Sequence, residues 1–190
     1  MKMNRPQKVG FALAMSAFIY LTCVLLMQNT PLNLSTWVLW TVIDTSLLVS
    51  MIKSKNEGVW LMAAFALGAS TIAIIALIKF FIGIGELSWH GTETLAAVSV
   101  VIALLVWKRT DVYGGVIAVT IAMYIAMIPT LINGWMYPIG QLPLFWGVSS
   151  IACLFTYSGS PRSFVERLMP ACGAFFNGLM ALIALRQFFF

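Results

Sequence analysis

A single acidic residue interrupts a long apolar segment near the start of the chain. Asp44 lies within "WVLWTVIDTSLLVSMIKSK", about ten residues from either end of the segment 34–52. An ionised carboxylate at that depth of a bilayer costs roughly 2.5–3.5 kcal/mol on insertion scales. This cost favours a functional carboxyl group, which binds a solute or carries a proton. The alternative is a protonated side chain that holds another helix, worth about 0.6 kcal/mol and up to roughly 1–2 kcal/mol.

The residues around Asp44 define what such a carboxylate could bind. Thr41, Trp40 and Trp37 precede it by three, four and seven positions, a spacing that puts all four side chains on one face of a helix. A carboxylate beside two indoles and a hydroxyl suits a cationic or hydroxylated solute through charge pairing, hydrogen bonds or stacking. The face therefore predicts a solute-binding site.

The composition of the chain indicates the class of protein in which this helix face lies. Of the 190 residues 61% are hydrophobic and 9% are charged, a ratio that predicts an integral membrane protein. The net charge of +5 comes from short clusters between apolar segments and indicates no nucleic-acid partner. Cys23, Cys153 and Cys172 lie scattered in apolar segments, which predicts neither disulfides nor a metal site, and no cofactor is expected.

The order of apolar segments predicts an all-α bundle of seven transmembrane helices within a single domain, 1–190. Each segment has about the length that spans roughly 30 Å of hydrocarbon, and the connections are short and rich in turn residues. The predicted spans are about 9–28, 34–52, 59–81, 91–107, 112–132, 142–157 and 165–186.

Lysine and arginine lie mostly on one side of this arrangement. Nine of the eleven fall in the N-terminal tail and in alternate loops: Lys2, Arg5, Lys8, Lys53, Lys55, Lys108, Arg109, Arg162 and Arg167. Only Lys79 and Arg186 fall on the other side. The positive-inside rule then predicts a cytoplasmic N-terminus and an external C-terminus, in a membrane expected to be a bacterial inner or plasma membrane.

Weak internal similarity relates the first three spans to the last three. The proposed repeats are 9–81 and 112–186, and span four joins them as a linker helix. The matches, at offsets of 104 to 107, are Ser16 and Tyr20 with Thr120 and Tyr124, Gly68 with Gly173, and Pro31, Leu39 and Lys79 with Pro138, Trp146 and Arg186. Such repeats predict two three-helix units of parallel topology. At an offset of 107 the mate of Asp44 is Ile151.

This 3+1+3 arrangement resembles the SWEET and PQ-loop transporter superfamily. The hallmark there is a proline followed by glutamine or a similar residue near the end of the first helix of each unit. "MIPTLINGWMYP" has Pro129–Thr130 at that position of span five, whereas span one has no proline before Pro31. The resemblance implies a solute site between the two units and motion of one unit against the other.

The resemblance also implies which residues hold the solute. The family uses an asparagine on the last helix of each unit and tryptophans on the second helices. Asn177 matches the asparagine in span seven, and its mate at an offset of 107 is Ser70. Trp146 matches the tryptophan in span six, and Trp40 or Trp37 the one in span two. Asn177 could equally hold helices together, because it lies among small residues.

Four further residues are weaker candidates. Tyr20 and Tyr124 lie at similar depths of the two repeats and could line one cavity, although a buried tyrosine with a satisfied hydroxyl is an ordinary core residue. Pro129 and Pro170 could act as hinges, although prolines are tolerated in membrane helices without such a role.

The chain shows no enzyme signature: it has one intramembrane aspartate rather than a pair, and no HExxH, P-loop or GxGxxG motif. The leading hypothesis is a transporter or facilitator of a small polar solute that works by alternating access. Movement of the solute could be coupled to movement of a proton. Its partners are the solute and the lipid bilayer, and a homo-oligomer stays open. The alternatives are a receptor, an accessory subunit of a larger membrane complex, and a small cation channel.

Overall fold

The computed structural model of the protein describes residues 3–28, 31–137 and 141–189, so that Lys2 and Pro138 lie outside the described residues. Within these ranges the chain forms seven α-helices and no strand. The helices are α1 (Arg5–Met27), α2 (Leu34–Lys53), α3 (Val59–Phe81), α4 (Gly91–Arg109), α5 (Val112–Met136), α6 (Pro143–Gly159) and α7 (Phe164–Leu185). A short 3₁₀ helix, Arg186–Phe188, follows α7. The predicted all-α class is confirmed.

Six of these helices are long and apolar enough to cross a membrane, α6 being the exception. This finding supports an integral membrane protein. Helix α6 has 17 residues, which is the lower limit of the usual length of a transmembrane helix, about 17–25 residues. It nevertheless packs along α1 and α7, both of which are candidate spans.

Polar caps, rather than the limits of the apolar segments, set the helix ends. Helix α1 begins four residues before the predicted span because Asn4 and Gln7 form a capping box, each side chain accepting a hydrogen bond of 3.0 Å from the other's backbone N–H. Helix α5 continues to Met136, past Pro129. The hydrocarbon pattern therefore locates the helices correctly but not their first and last turns.

Contacts at the helix ends show that successive helices run in opposite directions. At one end, the start of α1 meets the end of α6 through a hydrogen bond of 2.7 Å from Asn4 Nδ2 to the carbonyl of Gly159. The end of α2 meets the end of α4, where the Lys53 ammonium lies 5.0 Å from the centre of the Trp107 ring. The starts of α3 and α7 lie at the same end, because the N–H of Glu57 bonds Glu166.

We call this the basic end, because all the lysines and arginines of the described residues lie there except Lys79 and Arg186. Those two lie at the opposite end and make equivalent contacts. Lys79 Nζ donates to the carbonyl of Gln28 at 2.7 Å, and Arg186 Nη1 donates to the carbonyl of Trp135 at 3.0 Å. In both contacts the donor follows the acceptor by 51 positions, so the offset of 107 relates the donors and also the acceptors.

Six helices pack side by side in a closed ring, in the order α1, α6, α7, α5, α2, α3 and back to α1. Helix α4 lies outside the ring against α5 and α2. Helices α1 and α2 both pack on α3 but, in the described residues, not on each other; α5 and α6 pack on α7 in the same way.

Small residues allow the closest approaches in this ring. Gly68 of α3 lies under the ring of Phe18 in α1, and Gly173 of α7 lies beside Cys153 in α6. A stack of edge-on aromatic rings continues from Phe18 to Phe145 of α6, with centroids 5.3 Å apart. The apolar core therefore lies mainly among the six helices of the ring. Helix α4 packs against the outside of this ring.

Candidate functional site

Asp44 occupies a buried position near the middle of α2. It lies nine residues before the end of the helix at Lys53, and 4% of its surface is exposed. Among the described residues no group donates a hydrogen bond to its carboxyl group. A buried carboxyl without a partner costs folding energy, so Asp44 does not act as a bond between helices in this structure.

Two buried hydroxyl groups lie at the depth of Asp44. Thr120 and Ser149 are 1% and 0% exposed, and neither hydroxyl has a hydrogen-bond partner among the described residues. Thr120 lies eight residues after the start of α5 at Val112, and Ser149 lies ten residues before the end of α6 at Gly159. All three groups therefore lie about 12–15 Å from the basic end at the helical rise of about 1.5 Å per residue.

We call Asp44, Thr120 and Ser149 the polar layer. Its members come from three helices of one ring: α2 packs against α5, and both α5 and α6 pack against α7. The third buried polar atom without a partner, Nε1 of Trp60, lies next to the basic end, in the first turn of α3. Because most buried polar groups in proteins are hydrogen-bonded, these three groups are the strongest candidates among the described residues for contact with a molecule from outside the chain.

A second layer of larger side chains lies one turn further from the basic end. At the helical rise, Trp40, Trp146, Asn177 and Tyr124 lie about 18–20 Å from the basic-end limits of their helices. We call these four residues the aromatic layer, and all four are candidates that the sequence suggested.

The hydrogen bonds of the aromatic layer leave its polar groups only partly available. Tyr124 donates to the carbonyl of Met169 at 3.0 Å, and its ring stacks on Phe176 at 4.8 Å. Asn177 donates through Nδ2 to the carbonyl of Gly173 at 2.7 Å, which leaves its second N–H and its carbonyl oxygen for another partner.

The hydroxyls of two further candidates are satisfied within their own helices. Thr41 donates to the carbonyl of Trp37 at 2.9 Å, and Ser70 donates to the carbonyl of Ala66 at 2.7 Å. Such bonds to the carbonyl four residues earlier are common for hydroxyls in helices. The structure therefore does not place these two hydroxyls with the unpartnered groups.

Trp37 and Tyr20 lie away from both layers, towards the opposite end. Along their helices they lie about 22–24 Å from the basic-end limits, Lys53 of α2 and Arg5 of α1. Both pack against the apolar cluster around Phe18. Ser16 and Thr120, which the offset of 104 pairs, lie in different environments. Ser16 is exposed, whereas Thr120 is buried.

The two helix prolines flank the layers rather than belong to them. Pro170 lies about 9 Å from the start of α7, and Pro129 lies about 25 Å from the start of α5. Both helices continue through the proline without a break. Each proline lacks the N–H that would bond the carbonyl four residues earlier, so that each leaves a weak point for bending. Their role as hinges stays a prediction.

The structure changes the residue that corresponds to Asp44 in the second repeat. The offset of 107 pairs Asp44 with Ile151, but Ile151 is 47% exposed. The buried polar residue at the matching depth of α6 is Ser149, at an offset of 105, which also relates Gly68 to Gly173. The buried positions therefore follow an offset two residues smaller than the one that the charged ends follow.

Sequence reasoning missed Thr120 and Ser149 as site residues. Thr120 precedes Tyr124 by one helical turn, and Ser149 follows Trp146 by three residues, so each shares a face with a residue that the sequence did single out. That spacing was the available signal. Hydroxyls are common in membrane helices as bonds to the backbone, and only the structure shows that these two make none.

An apolar groove lies on the outside of the ring between α5 and α7. It encloses about 200 Å³ and is lined almost entirely by carbon atoms, with Ile121, Ile128 and Phe176 among its walls. Thr120 borders it, but the buried residue presents almost no polar surface to the groove. A polar solute would find hardly any hydrogen-bond partner there, so the polar layer is the better candidate site.

Comparison of the chain with protein-family models, with curated proteins and with solved structures finds no match.

Proposed function

We propose that the protein is a transporter or facilitator of a small polar solute, working by alternating access between two three-helix units. The units are α1–α3 and α5–α7, and α4 links them. The observation that carries the proposal is the polar layer: a buried carboxyl and two buried hydroxyls without partners, at one depth, contributed by both units. Sites near the middle of the membrane, between repeated units, are usual in transporters of this kind.

The lateral packing supports the division into units. In each unit the first and second helices pack on the third and not on each other, within the part of the chain that the structure describes. The units meet mainly where α1 packs on α6 and α2 packs on α5, two contacts that a twofold relation would exchange. The contacts of Lys79 with Gln28 and of Arg186 with Trp135, which share one offset, support a duplication.

The hydrogen bonds that the described residues form between the units lie at the basic end. Among the described residues they join Asn4 and Gln7 to Gly159, Asn56 to Val165, and Glu57 to Glu166, all at the basic end. These bonds favour a conformation that is closed at the basic end.

The orientation and the family are parts of the same proposal. The concentration of lysine and arginine at the basic end favours a cytoplasmic basic end by the positive-inside rule. The 3+1+3 order and the position of Pro129 favour membership of the SWEET and PQ-loop superfamily. Asn177 and Trp146, which that resemblance selected, lie at the same depth of their helices.

Alternating access predicts that thiols on the two sides of the polar layer react from opposite faces of the membrane. Cys153 is buried about 9 Å from the basic-end limit of α6, and Ala17 is buried about 18 Å from that of α1. With Cys23 and Cys172 replaced by alanine, we expect an impermeant maleimide to reach Cys153 from the basic side only. In a matched Cys153→Ala protein, the Ala17→Cys thiol should react from the other side only.

Vesicles of both orientations provide the measurement. Two other results would contradict the proposal. A static receptor or subunit would leave both thiols unreactive from either side until it unfolds. A channel would let both thiols react from the same side and would conduct in planar bilayers.

The contact between Glu57 and Glu166 gives a separate prediction about the closed end. The N–H of Glu57 donates to Oε2 of Glu166 at 2.8 Å, and a hydrogen bond to a charged group contributes about 1.5–3 kcal/mol. We expect Glu166→Ala to favour opening at the basic end and to speed labelling of Cys153 from that side roughly tenfold. Glu86→Ala removes an exposed carboxylate at the opposite end and should leave the rate unchanged; equal rates in both variants would exclude a closing role for Glu166.

A further inference from the structure

We infer that the transported solute carries a primary ammonium group, which the polar layer binds through the carboxylate of Asp44 and the hydroxyls of Thr120 and Ser149. This inference rests on the proposed function and names the chemical class of the solute.

The positive charge that Asp44 needs is not supplied by the chain's own basic residues. Every lysine and arginine of the described residues lies in a first or last turn of a helix or in a connection. Lys53 is the basic residue nearest to Asp44 in the sequence, and its ammonium group faces the Trp107 ring at the basic end. An ionised Asp44 in such a low-dielectric site therefore needs a counter-ion from outside the described residues.

The number and kind of acceptors match an ammonium group. A primary ammonium has three N–H donors and no acceptor, and the polar layer offers three side chains with acceptor oxygens and unused hydrogen-bonding capacity. The two hydroxyls have no partner among the described residues, so binding such a cation would satisfy them together with Asp44.

The same residues suit a metal ion less well. Ca²⁺ takes about six to eight oxygen ligands and Mg²⁺ about six, and hydroxyls contribute little charge. No group of three or more His, Cys, Asp or Glu side chains occurs in the described ranges. The layer thus has too few ligands for a hard cation.

The aromatic layer gives the rest of the solute an apolar surface. Trp40 and Trp146 lie about one turn beyond Asp44 and Ser149, on the same helices. Both indoles are half-buried and pack against the main core. Aromatic faces attract ammonium groups and cover short carbon chains. The ammonium would therefore point to the basic end, with the carbon chain towards the opposite end.

Binding to the purified full-length protein in lipid nanodiscs tests the inference. Ethylammonium, propylammonium and butylammonium are titrated beside the neutral alcohols of equal length and the N-trimethyl derivatives. We expect a saturable rise of the melting temperature with at least one primary ammonium ion and none with its alcohol. The trimethyl ion, which has no N–H, should bind about tenfold more weakly or worse. Equal behaviour of ammonium and alcohol, or no binding by any of these ammonium ions, would overturn the inference.

Variants show whether the polar layer is the binding site. Asp44→Asn should remove the response to the ammonium ions, and Thr120→Val and Ser149→Ala should each weaken it by about tenfold. Ser150→Ala is the matched control, because the Ser150 hydroxyl donates to the carbonyl of Ala174 at 2.8 Å and should affect the α6–α7 contact but not binding. Binding that survives all three layer variants would place the site elsewhere and overturn the inference.

The sided labelling of Cys153 separates this inference from the proposed function. Binding of an ammonium ion that depends on Asp44, together with thiols that never react from their own sides, would support the ammonium site and refute transport. Thiols that react from opposite sides in a protein that binds no ammonium ion would support alternating access and refute the ammonium site.

Discussion

Asp44→Asn is expected to abolish saturable uptake by proteoliposomes while the protein stays folded. Asp44 is 4% exposed, and its carboxyl group has no hydrogen-bond partner among the described residues. Asparagine has nearly the same shape but no charge, so it keeps the packing and loses the cation. Because an unpartnered buried carboxyl costs energy, we expect the melting temperature of the variant to remain equal or to rise.

This combination of results separates a functional aspartate from a structural one. An aspartate that holds two helices together would lose a stabilising bond on mutation, about 0.6 kcal/mol and at most roughly 2 kcal/mol, and the melting temperature would fall. A binding residue that lowers the stability of the protein gives the opposite result: its mutation abolishes uptake, and the melting temperature stays equal or rises. Such a result is common where function and stability compete.

Uptake of a primary alkylammonium ion and thermal unfolding in the same lipid provide the measurement. Asp111→Asn is the matched control, since Asp111 is the only other aspartate of the chain. Asp111 caps α5 by accepting a hydrogen bond of 2.7 Å from the N–H of Gly114, and asparagine caps equally well. Uptake that persists in Asp44→Asn, or that falls equally in Asp111→Asn, would remove Asp44 from the mechanism.

Most of the fold could be predicted from the sequence because a bilayer allows few solutions. A helix satisfies its own backbone groups, and its length must match the hydrocarbon thickness. Each apolar segment therefore becomes one helix, as the seven segments did. The helix ends were less predictable, because they depend on single residues such as Asn4, whose capping box extends α1 to Arg5.

The site was predictable only in part, because sequence spacing fixes the face of a residue but not its hydrogen bonds. Asp44 was found because a charge is rare in an apolar segment, and Trp146 was found by the family resemblance. Asp44 lies in the polar layer and Trp146 in the aromatic layer. Thr41 shares the face of Asp44, yet its hydroxyl bonds the backbone of Trp37. Ser149 drew no attention, because nothing in the sequence distinguishes an unpartnered serine from Ser150 beside it.

The proposed repeat accounts for both what is shared and what differs between the proposed units. The basic residues at the ends of α3 and α7 follow the offset of 107, whereas the buried positions Gly68 and Gly173, and Asp44 and Ser149, follow 105. A carboxyl in one unit therefore corresponds to a hydroxyl in the other. The polar layer is asymmetric in charge but equivalent in depth, which fits the proposed duplication and the proposed binding of one asymmetric solute.

Gly10→Ala is expected to destabilise the contact between α1 and α6, and Gly147→Ala is its matched control. A Cβ at Gly10 would lie 2.7 Å from the carbonyl oxygen of Ala152, and backbone on both sides can yield only if the helices separate. Overpacking of this kind costs about 1–3 kcal/mol. A Cβ at Gly147 of α6 meets nothing nearer than Ala181 at 3.9 Å, and alanine favours helix by up to about 1 kcal/mol over glycine.

The two substitutions are chemically identical, so thermal unfolding in nanodiscs compares the two sites directly. We expect a lower melting temperature for Gly10→Ala and an equal or higher one for Gly147→Ala. Because α1 and α6 belong to different units and meet at the basic end through Asn4 and Gly159, Gly10→Ala should also speed the labelling of Cys153 from that side. A Gly10→Ala protein as stable as Gly147→Ala would show that the two units do not approach this closely, and the closed basic end would lose its main packing contact.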